Sequence, residues 1–320
     1  GRLVAHLSCR IHSMIKTYIR TPKDKAIHTI SEPIKGSWIC VTKPTHEDLV
    51  TVTKVLDLDI DTLQDALDPY EAPRIAMDES DVYVFTRYCH PENKLASTEP
   101  LLILITETEI VTVSPYAVDF LNKLSTTLRT NTHDRVKLLL EILEQSHETY
   151  RSYLDQIIKL TFKIRTQLST STFTNKDFLK MIDIEEDLNE MLTSLQPNGI
   201  LLETLHAEKI FKLSPDEKEM LEDLRLESSE LIEITKARLR TVENIREVYN
   251  TISNASLNET FKKLTSIAIF LAIPTIIGGL YGMNIGLPGA DHENAFLEVL
   301  GIIIVAVTLV IFIFKRKKWL

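Results

Sequence analysis

Two apolar stretches dominate the hydrophobic pattern, residues 264–280 (LTSIAIFLAIPTIIGGL) and 295–314 (AFLEVLGIIIVAVTLVIFIF). Each is close to the ~20 apolar residues a helix needs to cross a bilayer. Upstream, short β-rich runs at 15–19, 38–41, 82–88, 101–105 and 109–113 alternate with helix-like stretches at 46–55 and 60–67. That alternation predicts an α/β or α+β domain, taken as α/β over residues 14–130. From Ala117 the pattern turns helical, with apolar residues at helical spacing over 137–167 and 177–195, inside a helical hairpin region spanning 131–213. Gln196-Pro197-Asn198-Gly199 carries turn signals and predicts the hairpin tip. Ser214-Pro215-Asp216-Glu217 then reads as an N-cap, a first-position proline and first-turn acids.

No further proline or glycine occurs until Pro274. Sixty or so helical residues would span on the order of 90 Å, longer than a globular domain needs. The expectation is a stalk helix over 214–263 that feeds a first span at 264–281. The alternative is a break at 250–258 (NTISNASLN), where helix propensity is poor. A connecting segment follows at 282–294, then a second span at 295–314 and a basic tail at 315–320. Six of the nine glycines fall between Gly278 and Gly301. The upstream region therefore holds no GxGxxG or P-loop, and GxSxG and HExxH are absent as well. Nothing nominates an enzyme or an organic cofactor.

Charge sets the expected topology. Lys262 and Lys263 precede the first span and Lys315-Arg316-Lys317-Lys318 follow the second, while residues 285–294 carry Asp291 and Glu293 but no Lys or Arg. Basic flanks stay on the cytoplasmic side. Both termini are expected there, in a multi-pass protein of the plasma or inner membrane with a short external loop and Trp319 as an interfacial anchor. The net charge is −9, so the acidic excess lies outside the spans, which disfavours a nucleic-acid partner and suits either solubility or divalent-cation binding. Cys9, Cys40 and Cys89 show no CxxC spacing, as expected in a reducing cytosol. Residues 1–13 have no clear pattern and read as an expression remnant ahead of Met14.

Tyr281-Gly282-Met283-Asn284 after the first span, the basic 315–318 run closing the second and the long polar helix between domain and membrane together resemble the CorA family of divalent-cation channels. Leu63 to Asp68 followed by Pro73-Arg74 looks like that family's acidic helix and Pro-Arg strand start, although Gln64 stands where the family more often has Glu. The resemblance implies a membrane α+β protein: a cytosolic α/β domain, a helical stalk, two C-terminal transmembrane helices and assembly as a homopentamer in the lipid bilayer. It implies uptake of Mg²⁺, with Co²⁺ and Ni²⁺ as further cargo, through a pore lined by the first span.

Two spans cannot enclose an ion path within one chain, so several copies must ring an axis. The first span is the better lining, because it carries Thr265, Ser266, Pro274, Thr275 and Gly278-Gly279, whereas the second is nearly all aliphatic. Helical spacing places Asn258, Phe261, Leu264, Ala268, Ala272, Thr275 and Gly279 on one face. These match the family's pore-lining positions, with Ala272 smaller than the residue often found there. The face also suits close helix packing, helped by Gly278, Gly282 and Gly286 at four-residue intervals. Gly282, Met283 and Asn284 form the expected external selectivity filter, with Gly282 supplying backbone freedom for the turn. Mg²⁺ gives up water reluctantly, and amide and carbonyl oxygens can hold a hydrated ion without trapping it.

The family also implies regulatory Mg²⁺ bound between neighbouring cytosolic domains, holding the ring closed. Asp223 matches the family's stalk position by a gap-free count back from Asn284. Glu222 and Glu233 lie nearby on the same predicted helix, and Asp78, Glu79 and Asp81 are the candidate partners. A zinc transporter of the same superfamily is the nearest alternative, and Met283 favours magnesium over it. A membrane-anchored cation sensor is the alternative from another class.

Overall fold

Side chains alternate across a strand, and here the alternation sorts one sheet into two buried faces. A computed structural model describes residues 15–56, 58–90, 97–127, 129–170, 173–283, 285–286, 294–317 and 319. Cys9, the proposed remnant at 1–13 and Asn284 lie outside the described residues. The strands are β1 (Ile15–Ile19), β2 (His28–Ile30), β3 (Trp38–Thr42), β4 (Arg74–Asp78), β5 (Asp81–His90), β6 (Ser97–Ile105) and β7 (Ile110–Ser114). The helices are α1 (His46–Leu56), α2 (Ile60–Asp65), α3 (Asp119–Thr127), α4 (Arg135–Ser169), α5 (Asn175–His206), α6 (Pro215–Tyr281) and α7 (Ala295–Arg316).

The sheet runs in the order β2-β1-β3-β7-β6-β5-β4. Among the described residues only β3 and β7 pair in parallel; every other neighbouring pair is antiparallel. Val82, Val84, Leu101, Ile103 and Ile105 pack on one face with Leu121 and Leu124 of α3, Leu138 and Leu143 of α4, Leu202 of α5 and Leu221 of α6. Tyr83, Phe85, Leu102 and Leu104 face the other way, onto Leu49 and Val52 of α1 and Leu63 of α2. The α/β domain is thus a three-layer sandwich, with the helical hairpin and the start of α6 contributing to one of its cores.

The sequence-predicted strands all form, and β2 and the body of β4 add to them. The stalk forms as one helix from Pro215 to Tyr281, with no break at 250–258. Its start is capped as expected: the Ser214 backbone N–H donates to Glu217 Oε2 at 2.7 Å, and the Glu217 N–H points back to Ser214 Oγ at 3.4 Å.

The expectation for Gln196-Pro197-Asn198-Gly199 is overturned. Helix α5 continues through Pro197 to His206, and the connection between α4 and α5 falls at 170–174 instead. Tertiary contacts explain the turn-like composition. Strand β4 pairs with β5 only as far as Phe85, so the backbone of Arg87 has no strand beside it on that side. Asn198 takes the place of one: its Nδ2 donates to the Arg87 carbonyl at 3.1 Å, and its Oδ1 accepts from Thr86 Oγ1 at 2.9 Å and from the Arg87 N–H at 3.4 Å. Ser146 Oγ also donates to the Arg87 carbonyl, and Thr149 Oγ1 accepts from the Cys89 N–H. At Gly199 an added Cβ would lie 3.5 Å from Ile232 Cδ1 and 3.6 Å from Ser228 Oγ, so α5 and α6 approach closely there.

The chain divides into two units, Gly1–Asn244 and Ile245–Leu320. In the first, Arg151 of α4 is tied to α6 through Glu227 at 2.9 Å and Glu230 at 3.7 Å. In the second, α6 and α7 are two helices long and apolar enough to cross a membrane, and almost nothing on either apolar stretch is buried within the chain.

Candidate functional site

The exposed and covered faces of α6 distinguish its two roles in the second unit. Ser266 is fully buried, and Ile269, Phe270, Ile273, Pro274 and Ile277 are half-buried. Phe270 meets Phe314 of α7 with ring centroids 5.6 Å apart. On α7, Val299, Ile303, Ala306, Val310 and Phe314 are among the less exposed positions, again at helical spacing. Asn258, Phe261, Leu264, Ala268, Ala272, Thr275 and Gly279 are all exposed. At roughly 100° per residue, most of this stripe lies opposite the face that carries Ser266, Phe270, Ile273 and Ile277. A large apolar surface, with Phe261 and Leu264 each 63% exposed, is therefore left uncovered by the chain's own second span.

The stripe's polar groups are restrained by the helix. Thr275 Oγ1 donates to the Leu271 carbonyl at 2.8 Å. Pro274 has no N–H to offer the Phe270 carbonyl. An added Cβ at Gly278, Gly279 or Gly286 would meet nothing within 4 Å, so those glycines do not serve packing inside one chain. Gly282 departs from the expected reason for its presence. Its N–H bonds to the Gly278 carbonyl at 2.9 Å, and it does not adopt positive φ. A Cβ there would lie 3.3 Å from that same carbonyl oxygen, so the constraint is a close approach at the helix end. Met283 is exposed just beyond, its N–H reaching the Leu280 carbonyl at 3.3 Å.

The candidate regulatory carboxylates occupy two places in the first unit. Asp223 lines a cleft of about 710 Å³ beside Asp24, Asp134, Glu141, Glu144 and Glu227, with Arg20, Arg129 and Lys137 also on its walls. Burial raises the Asp134 and Glu141 carboxyls above their ordinary values, while the Thr21 hydroxyl lowers Asp24. Asp78, Glu79 and Asp81 are not on that wall. They form the β4–β5 turn, with Glu79 at φ 48°. Asp81 is raised by burial first, then by Asp78, Glu107, Glu79 and Glu109. The β6–β7 turn thus adds Glu107 and Glu109 to this acidic end of the sheet, residues the sequence reading passed over because only strand pairing brings the two turns together.

Glu222 and Glu233 are engaged otherwise. Glu222 accepts from Arg225 at 2.5 Å and lies 3.4 Å from His206 Nε2. Glu233 pairs with Lys236 at 2.8 Å, which lowers its carboxyl. Among the described residues, no three His, Cys, Asp or Glu side chains gather in a way that could hold a metal ion within one chain.

Comparison with known proteins agrees with this geometry. The family described as CorA-like Mg²⁺ transporter protein matches residues 35–316. The cobalt/magnesium transport protein CorA of Methanocaldococcus jannaschii is 24% identical over 294 residues, covering 88% of this chain and 91% of that protein. The complete structure of the CorA magnesium transporter from the same organism superposes with a TM-score of 0.86 at 22% identity, covering 97% of this chain and all of that one. The cytoplasmic domain of ZntB from Vibrio parahaemolyticus shares the soluble fold, with a TM-score of 0.63 at 13% identity over 76% of this chain and 98% of its own. With the matched family region running from the sheet through both apolar helices, the chain belongs to the CorA family.

Proposed function

We propose that this chain is a magnesium channel driven by the membrane potential, assembled as a homopentamer and held closed by cytosolic Mg²⁺ bound between protomers. The observation that carries the reading is the exposed stripe from Asn258 to Gly279, which faces away from α7 and is left without a partner in the chain. Copies arranged around an axis would cover that face and turn it into the wall of a path. Polar positions at Asn258 and Thr275 would then be separated by apolar rings at Phe261, Leu264, Ala268 and Ala272, and apolar constrictions gate by dewetting. A divalent ion moving inward across 100 mV gains ~4.6 kcal/mol, twice the single-charge value, so uptake needs no nucleotide.

The closing signal follows from the carboxylates. One chain does not complete a metal group among its described residues, but Asp223 on one protomer and the β4–β5 turn of its neighbour could do so together. Mg²⁺ bound there would favour the closed state by its differential affinity for it. The family description and the name of the M. jannaschii relative support magnesium, with cobalt as further cargo. The test is ion influx into proteoliposomes at an inside-negative potential, with wild type beside Asn284→Ala. Mg²⁺ influx that is lost in the variant is expected. Zn²⁺ flux under a proton gradient with no Mg²⁺ influx would replace magnesium by zinc, and no flux of either would refute the channel.

A further inference from the structure

The cations that flank the two spans converge on the side of α6 that faces α7. Lys262 and Lys263 lie directly before the span, one to two turns ahead of Ser266 and Phe270, and at roughly 100° per residue they fall on either side of the face carrying Ser266, Phe270, Ile273 and Ile277. They are directed away from Phe261, Leu264 and Ala268. The Phe270–Phe314 contact, 5.6 Å between centroids, sets α7 alongside α6 at this level. Lys315, Arg316 and Lys317 follow Phe314 directly. Lys262 and Lys263 lie seven to eight residues from Phe270 and residues 315–317 lie one to three from Phe314, so the two basic groups differ by at most roughly 10 Å in level along the helices.

The chain end is held there. The Trp319 ring lies tilted against that of Phe314 with centroids 5.4 Å apart, and the Trp319 backbone N–H donates to the Phe314 carbonyl at 2.9 Å. Lys262, Lys263, Lys315, Arg316 and Lys317 are all exposed. Among the described residues, Lys263 alone of these five has an ion pair, with Glu259 at 2.7 Å. Five positive charges thus face one carboxylate, in a chain whose net charge is −9.

We propose that Lys262, Lys263, Lys315, Arg316 and Lys317 form a docking site for the phosphate headgroup of an anionic phospholipid at the cytoplasmic boundary of the bilayer. The inference rests on the membrane reading above. The apolar stretches below the cluster are exposed along nearly their whole length, so acyl chains can lie against α7 while the headgroup meets the cations. The placement opposite the proposed pore stripe puts this site on the outer side of α6, away from the ion path. An aromatic residue at such a boundary, as Trp319 is here, holds its end of the helix at headgroup level.

The test uses the full-length protein in detergent and counts bound lipid by native mass spectrometry, comparing phosphatidylglycerol with phosphatidylcholine of the same acyl chains. Each cation near an anionic surface contributes about fivefold (~1 kcal/mol). Wild type is expected to prefer phosphatidylglycerol by at least tenfold at low salt, with the preference falling as salt rises. Lys262→Gln, Arg316→Gln and Lys317→Gln together should lower it by on the order of 100-fold at most, and a Lys262→Arg/Lys317→Arg variant should retain it. If the triple variant does not stay assembled, Arg316→Gln alone must still lower the preference severalfold. Equal retention of the two lipids by wild type overturns the proposal, as does an unchanged triple variant. Displacement of the lipid by millimolar inorganic phosphate would make this a site for free anions and overturn the lipid assignment. Partition between Triton X-114 and water, run in parallel, separates the two readings. Recovery in water would refute the spans themselves, whereas recovery in detergent without lipid preference would refute the headgroup site alone.

Discussion

Asn198→Ala should destabilise the protein far more than a surface asparagine change on the same helix. Asn198 is 1% exposed and serves an unpaired stretch of β5. Its removal deletes the bonds at 2.9 and 3.1 Å and the longer one at 3.4 Å. Ser146 still donates to the Arg87 carbonyl, so that acceptor keeps one partner. The Arg87 N–H and the Thr86 hydroxyl lose theirs. Two well-formed bonds contribute about 1 kcal/mol each, and a buried group left unsatisfied costs ~1–3 kcal/mol. The sum is about 3–5 kcal/mol. At ~2–4 °C per kcal/mol for a domain of this size, the unfolding midpoint should fall by roughly 6–20 °C.

The assay is thermal unfolding of the full-length protein in detergent at a fixed scan rate, followed by tryptophan fluorescence. Trp38 is fully buried in the sheet with Nε1 donating to Thr112 Oγ1 at 3.0 Å, and so reports on this domain. The control is Asn189→Ala. That residue is exposed, and its side chain only returns to the Glu185 carbonyl of its own helix. It should shift the midpoint by no more than about 0.5 kcal/mol equivalent. An Asn198→Ala midpoint within about a degree of wild type would refute the edge-capping account.

Gly199→Ala is expected to be neutral or stabilising by up to ~1 kcal/mol, because the helix gains an alanine and its Cβ meets Ile232 at an ordinary 3.5 Å. Gly199→Leu should destabilise by about 1–3 kcal/mol through overpacking, and the same melts distinguish the two. His147 is fully buried, with Nδ1 2.9 Å from the Leu143 carbonyl and Nε2 without a hydrogen-bond partner. Burial lowers its pKa from the ordinary 6.5, against smaller opposing effects of the Leu143 carbonyl and then Glu227. Its stabilising contribution is therefore complete above pH ~6.5 and is lost as pH falls towards the lowered folded value. Stability measured from pH 7 to 5 should decline less steeply in His147→Gln, by up to ~1.4 kcal/mol per pH unit. Asp223→Asn should leave currents less inhibited by internal Mg²⁺, and patch recordings with unchanged inhibition would remove Asp223 from the gating account.

Periodicity carried much of the architecture. The strands at 15–19 and 101–105, the capped start at Ser214 and the two apolar helices all follow from interactions within a few residues or from bulk hydrophobicity, which a linear reading contains. The same spacing rule grouped Asn258 to Gly279 on one face, because a helix maps sequence onto a surface at a fixed angle. It failed at Pro197-Asn198-Gly199. Proline and glycine there have the composition of a turn, and the roles of Asn198 and Gly199 depend on β5 and on Ile232, which are distant in the chain. The acidic end of the sheet was half legible for a similar reason: Asp78 to Asp81 are neighbours in sequence, whereas Glu107 and Glu109 join them only through the pairing of β5 with β6. Local propensity and hydrophobicity thus determined which elements form, and only the tertiary structure decided which of their polar side chains meet, because an unpaired backbone group or a close helix crossing exists only after the elements have packed.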